Sequence, residues 1–146
     1  MENNMKIEID SNQFNISVVR VAVATFVSTL DISIDDLMDI KTAVSEAVTN
    51  SIEHGYENSK GKVIIEAKIT EGVEDIVTII VKDYGVGISD IELATTPTYT
   101  SKPELEHAGL GFTIMESFMD QIEIDSSVNN GTTIKLIKIL KKKKSI

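Results

Sequence analysis

The chain has 146 residues, 42% of them hydrophobic and 25% charged, which is typical of a single globular domain with an aliphatic core. It contains no cysteine, which excludes disulfides, thiol catalysis and thiolate metal sites and favours a reducing, cytoplasmic location. The net charge of −9 disfavours direct contact with nucleic acid, and neither a signal peptide nor a membrane-spanning segment is expected.

Apolar periodicity in the first half of the chain predicts a strand, two helices and a hairpin. Alternation predicts an edge strand near 5–10, and apolar residues at helical spacing predict a helix within 14–30. The acidic residues Asp35 and Asp36 favour the start of a second helix, for which Gly55 is the expected C-terminal cap. Two strands rich in Val and Ile should follow at 62–70 and 76–82, joined by a hairpin loop.

The second half opens with a long polar segment, residues 84–110, and loops of this length are usually functional. A short helix is expected within it near 89–93. The remaining predicted elements are a helix at 111–119, strands at 121–126 and 132–139 joined by a turn at 129–131, and a basic tail at 140–146. The order β-α-α-β-β-α-β-β predicts an α+β two-layer sandwich, with the helices on one face of a mixed, mostly antiparallel sheet.

Glu46 and Asn50 stand four residues apart on the second predicted helix, which places them on one face about 6 Å apart. An amide oxygen suits Mg²⁺, and a carboxylate one turn away suits the activation of an attacking hydroxyl. In isolation, such a pair is usually an ordinary exposed Glu and Asn, and it indicates a site only together with the other segments.

Two further segments combine glycines with groups that bind a nucleotide. Asp83 ends a predicted strand and precedes Gly85 and Gly87, so a carboxylate stands beside backbone that can approach a flat ring closely. Gly109 and Gly111 lie at a predicted helix start, where bare N–H groups can bind an anion. A plain turn and a helix junction without a ligand are the alternatives. The glycine patterns of a P-loop and of a Rossmann fold are both absent from the sequence.

Taken together and in order, four segments resemble the N, G1, G2 and final Gly-Thr boxes of the GHKL ATPase/kinase superfamily. They are residues 46–55, 83–87, 109–115 and 131–134. The likeness extends over most of the chain. The wording of the boxes, with the segment before the second glycine pair, looks closest to the anti-sigma kinases of endospore-forming bacteria, which are serine-protein kinases.

The resemblance implies a Bergerat-type sandwich that binds ATP or ADP with Mg²⁺, and it implies a role for each matched residue. Glu46 would be the general base that activates the substrate serine, and Asn50 would hold Mg²⁺. Asp83 would bind the adenine amine with Thr132 near it. Residues 95–110 would form the ATP lid. The other residues expected at the nucleotide are Gly85, Gly87, Thr100, Ser101, His107, Gly109, Leu110, Gly111 and Phe112.

The resemblance also implies partners. They are a sporulation sigma factor, a small anti-anti-sigma protein that is phosphorylated on serine, and a second copy of the chain in a homodimer. Arg20, expected to be exposed on the first helix, matches a position that would contact both protein partners. Direct binding of nucleic acid or membrane is not expected.

Two positions depart from the family pattern, and three rival functions stay open. His107 stands where relatives carry Arg, and a neutral imidazole cannot replace a guanidinium fork at the phosphates. Tyr84 replaces a polar or acidic residue and is expected to stack or to face solvent. The rivals are an anti-sigma kinase of a general stress response, a nucleotide-switched binding module without kinase activity, and a histidine-kinase ATPase domain. The last needs a helical segment with a phosphoacceptor histidine, which is not expected before residue 5.

Overall fold

The computed structural model of the protein describes residues 1–91, 95 and 111–140. Within these residues, five strands form one sheet in the order β1-β2-β3-β5-β4, and each neighbouring pair is antiparallel. Their bounds are β1 Glu2–Asp10, β2 Lys62–Thr70, β3 Asp75–Asp83, β4 Gln121–Ser126 and β5 Thr132–Leu140. The predicted strands are therefore confirmed, and β1 lies at an edge as expected.

In the same part of the chain, three α-helices follow the predicted order, α1 Asn15–Val27, α2 Ile34–Asn50 and α3 Gly111–Phe118. Ser33 caps α2 by accepting a hydrogen bond from the Asp36 N–H at 3.1 Å, and the acidic first turn complements the helix dipole. Of the helix expected near 89–93, Ile91 is helical, and residues 92–94 lie outside the described part.

The helices cover one face of the sheet, and the core lies between the two layers. Alternate residues of β2 and β3 point into this core, because side chains alternate across a strand. In β2 they include Val63, Ile65 and Ala67, and in β3 they include Ile79, which pairs with Ala67, and Val81. On the other side of the core, α2 packs against both α1 and α3, so it is the central helix of its layer.

α2 does not end at a glycine cap, and the prediction for Gly55 is wrong. The chain continues from Asn50 into a π-helical turn, Ser51–Gly55, and the capping residue is Tyr56 with φ −99°. Gly55 does not have the positive φ that a glycine cap adopts. A π-helical turn closes its hydrogen bonds over one more residue than an α-helical turn, and such turns are frequent at functional sites.

A largely buried ammonium group fixes α3 against α2 and β5. Lys138 is 11% exposed, and its Nζ pairs with Asp39 at 3.1 Å and with Asp36 at 3.9 Å. The same Nζ donates to the carbonyl of Phe118 at 2.5 Å, which satisfies an open acceptor at the C-terminus of α3. α3 begins at Gly111, and the helix packs beside α2.

Candidate functional site

The carboxylate of Asp83 lies at the end of β3 and is 1% exposed. Its Oδ1 accepts a hydrogen bond from the Gly85 N–H at 2.9 Å, whereas Oδ2 is buried and has no hydrogen-bond partner among the described residues. Burial raises the pKa of Asp83 above its ordinary value of 3.8, and the N–H of Gly85 is the largest of the contacts that oppose the rise. An unpaired buried acceptor of this kind is suited to a ligand that brings a donor.

Ser51 supplies a second buried polar atom beside Asp83. Ser51 is 1% exposed, and its hydroxyl lies close enough to Asp83 to lower the pKa of that carboxyl. Within the described residues, however, the hydroxyl makes no well-aligned hydrogen bond. A hydroxyl can donate and accept, so the pair offers both kinds of contact to one edge of a flat heterocycle. Ser51 is not among the site residues predicted from sequence, although a polar residue four positions after the buried Ala47 is an available signal.

Glycines allow the backbone to close around Asp83. A Cβ on Gly55 would lie 2.9 Å from the Asp83 carboxylate, and one on Gly85 would lie 2.0 Å from the carbonyl oxygen of Gly55. Gly131 has φ +78°, and a Cβ there would lie 2.1 Å from the carbonyl oxygen of Asp83. Gly87 also has a positive φ, of +74°. Gly55 therefore allows Asp83 to approach closely. This close approach, and not a helix cap, is the reason for a glycine at this position.

Replacing Gly85 with Ala is expected to lower the free energy of unfolding by about 1–3 kcal/mol, because the new methyl group meets backbone that cannot move aside cheaply. The matched control is Gly72→Ala in the β2–β3 hairpin, where the nearest atom to a Cβ would lie 3.4 Å away. Urea unfolding of both variants measures the difference. Equal stability of the two variants would contradict the close approach of Gly85 to Gly55.

Ser126 joins the two loops that flank Asp83, and it too is absent from the residues predicted from sequence. Its Oγ accepts from the Ile88 N–H at 2.8 Å, donates to the Gly131 carbonyl at 3.0 Å and lies 2.7 Å from the Thr132 hydroxyl. Thr132 is 3% exposed and pairs with Asp83 across β3 and β5. The predicted nearness of Thr132 to Asp83 is thus present in the fold.

Glu46 and Asn50 lie one turn apart near the end of α2, and both are half-buried rather than exposed. A Cβ on Gly111 would lie 3.6 Å from Glu46 Oε2, so this carboxylate stands beside the first residue of α3. Within residues 1–91, 95 and 111–140, no group of three His, Cys, Asp or Glu residues could hold a metal ion. The amide oxygen of Asn50 is a hard ligand of the kind that Mg²⁺ combines with phosphate and water oxygens.

Several predicted site residues cannot be placed in this arrangement. Thr100, Ser101, His107, Gly109 and Leu110, with most of the expected lid, lie outside the described residues. Phe112, by contrast, lies within the described residues. Its side chain is buried in the core and 8% exposed, so its backbone is the part available to a ligand.

Arg20 differs from its expected exposure. It lies on α1 and is half-buried, and its Nε is enclosed with no hydrogen-bond partner among the described residues. Apolar side chains face solvent along α1 and at the residue before it, because Phe14, Val18 and Val21 are 86%, 55% and 64% exposed. Exposed apolar side chains grouped in this way are typical of a protein contact surface.

Tyr84 faces solvent, which confirms one of the two outcomes expected for it. Its side chain is largely exposed, and the Lys82 Nζ lies 5.1 Å from the centre of its ring. This geometry suits a cation–π contact.

Known proteins similar to this chain form a consistent group. Residues 9–138 match the model of the histidine kinase-like ATPase domain. The anti-sigma F factor of Clostridium kluyveri is 56% identical over 138 residues, which cover 94% of this chain and 95% of that protein. The anti-sigma F factor of Bacillus subtilis is 50% identical over 147 residues, which cover 100% and 99% of the two chains.

A solved structure shares the fold at lower identity. The RsbU and RsbW domains of a Mycobacterium tuberculosis protein align with a TM-score of 0.66 and 20% identity, over 99% of this chain and 34% of that one. The chain therefore belongs to the histidine kinase-like ATPase family, and the two relatives named above, which align over nearly their full length, are anti-sigma F factors. Within the described residues, no helix is long and apolar enough to cross a membrane.

Proposed function

We propose that the protein is a cytoplasmic anti-sigma factor that inhibits a sporulation sigma factor and uses Mg-ATP to phosphorylate a serine of an anti-anti-sigma protein. The observation that carries the kinase activity is the position of the Glu46 carboxylate, beside the start of α3 and one turn before Asn50. A base and the N–H groups of a helix start are thereby brought together, which is the combination that phosphoryl transfer needs.

In this mechanism, Glu46 accepts the proton of the substrate serine hydroxyl as its oxygen attacks the γ-phosphorus. The bond from the γ-phosphorus to the β,γ-bridging oxygen breaks, and ADP leaves with the electron pair. The start of α3 at Gly111 supports the negative charge through its N–H groups. Glu46 then returns the proton to solvent.

Asn50 would hold the Mg²⁺ ion through its amide oxygen. When bound, the ion neutralises charge on the phosphates. A single amide oxygen is one ligand of the several that Mg²⁺ needs, so the affinity of the ion for the protein should depend on the phosphates of the nucleotide.

Adenine would be recognised at Asp83 and Ser51. The unpaired Oδ2 of Asp83 is an acceptor for the exocyclic amine, and the Ser51 hydroxyl is a donor for a ring nitrogen, directly or through water. Guanine places a carbonyl where adenine has the amine, and two acceptors would then face each other. The site should therefore favour adenine nucleotides over guanine nucleotides.

The protein partners would bind at α1 and at the open face of the sheet. The exposed residues Phe14, Val18 and Val21 offer an apolar surface, and the half-buried Arg20 adds a cationic group on the same helix, which suits a sigma factor and the anti-anti-sigma protein. The face of the sheet that carries no helix is available for a homodimer. Neither nucleic acid nor membrane is needed as a direct partner.

Two measurements on the purified protein test this proposal. Labelled ATP should transfer its γ-phosphate to a serine of a small anti-anti-sigma protein, and a sporulation sigma factor should be retained by the protein when ATP is present. Retention of the sigma factor without any transfer would show a nucleotide-switched binding module. Transfer to a partner of the general stress response alone would show the related stress kinase.

A further inference from the structure

The hydroxyl of Tyr56 occupies an unusual place at the end of the β2–β3 ladder. Val63 and Asp83 form the last registered pair at this end, and the next pair outward would be Lys62 with Tyr84. The Tyr56 hydroxyl lies between these two residues instead. It donates to the Lys62 carbonyl at 2.5 Å and accepts from the Tyr84 N–H at 2.8 Å.

A side-chain hydroxyl therefore replaces the backbone hydrogen bond that would continue the ladder. Because the oxygen must fit between the strands, it separates the chain at Tyr84 from β2, as the extra residue of a β-bulge does. The chain that leaves β2 at Tyr84 follows directly after Asp83, the last paired residue of β3, and continues into Gly85. Where the ladder ends thus decides where the buried carboxylate lies.

Tyr56 is itself held firmly, so it can act as a fixed spacer. Its N–H donates to the Ser51 carbonyl at 2.9 Å, and its carbonyl accepts from the Ser59 N–H at 2.8 Å. A Cβ on Gly61 would lie 2.3 Å from the Tyr56 ring, so the ring packs directly on that backbone. The preceding Gly55 carbonyl accepts from the Val86 N–H at 2.8 Å, which makes a second tie to the same loop.

We infer that Tyr56 is a positioning residue for adenine, whose hydroxyl ends the β2–β3 ladder and sets Asp83 at the correct distance from Ser51. It does not touch the nucleotide and acts through the loop that begins at Tyr84. The inference rests on the proposed nucleotide site, and it adds to that site a residue that lies outside the four matched sequence segments.

Replacing Tyr56 with Phe keeps the ring and removes both hydrogen bonds of the hydroxyl. Binding of adenosine and of ATP should weaken by the same factor, about tenfold, because the disturbed contacts are those of the base and not of the phosphates. Calorimetric titration with each ligand measures the two factors. Unchanged adenosine affinity in a folded variant would overturn the inference.

The matched control is Ser11→Ala, which also removes a hydroxyl that bridges two backbone groups. Ser11 Oγ donates to the Ser59 carbonyl at 2.6 Å and accepts from the Gly61 N–H at 2.9 Å. Both variants should lose stability, but only Tyr56→Phe should lose adenosine affinity. Equal losses of affinity in the two variants would indicate a merely structural role and overturn the inference.

Amide hydrogen exchange on the unmodified protein gives a second test that does not depend on the fold of a variant. The Tyr84 N–H should exchange slowly, although it lies beyond the last ladder pair, because the Tyr56 hydroxyl binds it. Rapid exchange at Tyr84 would overturn the inference. Failure of the unmodified protein to bind adenosine or ATP would instead overturn the proposed function, and the exchange result would still decide the role of the hydroxyl.

Discussion

Replacing Glu46 with Gln is expected to slow phosphoryl transfer to the protein substrate by about 10³-fold, because an amide of the same size cannot accept the serine proton. ATP affinity should stay within about twofold, since the base acts on the attacking hydroxyl rather than on the nucleotide. Single-turnover transfer of labelled phosphate, with a parallel ATP titration, separates the two quantities.

The control for this variant is Glu116→Gln, the same chemical change at an exposed position of α3. It should leave both transfer and ATP affinity unchanged, because Glu116 faces solvent in the second half of that helix. Full retained activity of Glu46→Gln would refute its assignment as the base. Loss of ATP binding together with transfer would show that Glu46 holds the site together instead.

Replacing Asp83 with Asn is expected to weaken ATP and adenosine binding by about 100-fold, because a charge-assisted acceptor for the amine is lost. The same change should stabilise the ligand-free protein at neutral pH, since the folded chain no longer buries a poorly solvated carboxylate. The site would thus be a place where function costs stability.

The pH dependence of this effect has a definite sign. Burial raises the pKa of Asp83 in the folded protein above the ordinary value of 3.8, so the folded state holds its proton to higher pH than the unfolded state does. The stability that comes from this bound proton is fully present below pH 3.8 and is lost as the pH rises through the folded pKa. The advantage of Asp83→Asn should therefore grow with pH from that value upward.

Urea unfolding of the two proteins between acid and neutral pH measures this difference. A constant gap across the whole range would contradict the raised pKa of Asp83. Nucleotide affinity of the unmodified protein should fall as the pH is lowered through the same pKa, because the protonated carboxyl is a weaker acceptor for the amine.

The alternating strands were the part of the fold most accessible from sequence. The prediction of 62–70 agrees with β2 at Lys62–Thr70, because a strand with one buried face must repeat every two residues. The prediction for α2 likewise agrees in its acidic first turn. The pairing of strands that are distant in sequence was less accessible. β3 pairs with β5, although α3 and β4 lie between them in the chain, and the local pattern did not decide between a mixed and a fully antiparallel sheet.

Some polar residues of the candidate site could be predicted from the sequence, but the contacts between them could not. Asp83 and Glu46 could be found from their motifs, whereas the unpaired hydroxyl of Ser51 and the bridging hydroxyl of Tyr56 depend on chain segments that meet only in the fold. Gly55 shows the same limit, because local helix rules predict a cap, whereas the real constraint is the Asp83 carboxylate, which would lie 2.9 Å from a Cβ on this residue. Local rules describe helix ends, but they contain no information about a strand that packs against one.

Calorimetric titration with ATP, with and without Mg²⁺, on the unmodified protein and on Asn50→Ala tests the nucleotide site most directly. We expect saturable ATP binding that Mg²⁺ strengthens in the unmodified protein. Asn50→Ala should lose most of the strengthening, because the amide oxygen is the side-chain ligand proposed for the ion. Absence of ATP binding at every Mg²⁺ concentration would contradict the nucleotide site and leave a protein that binds its partners without a nucleotide.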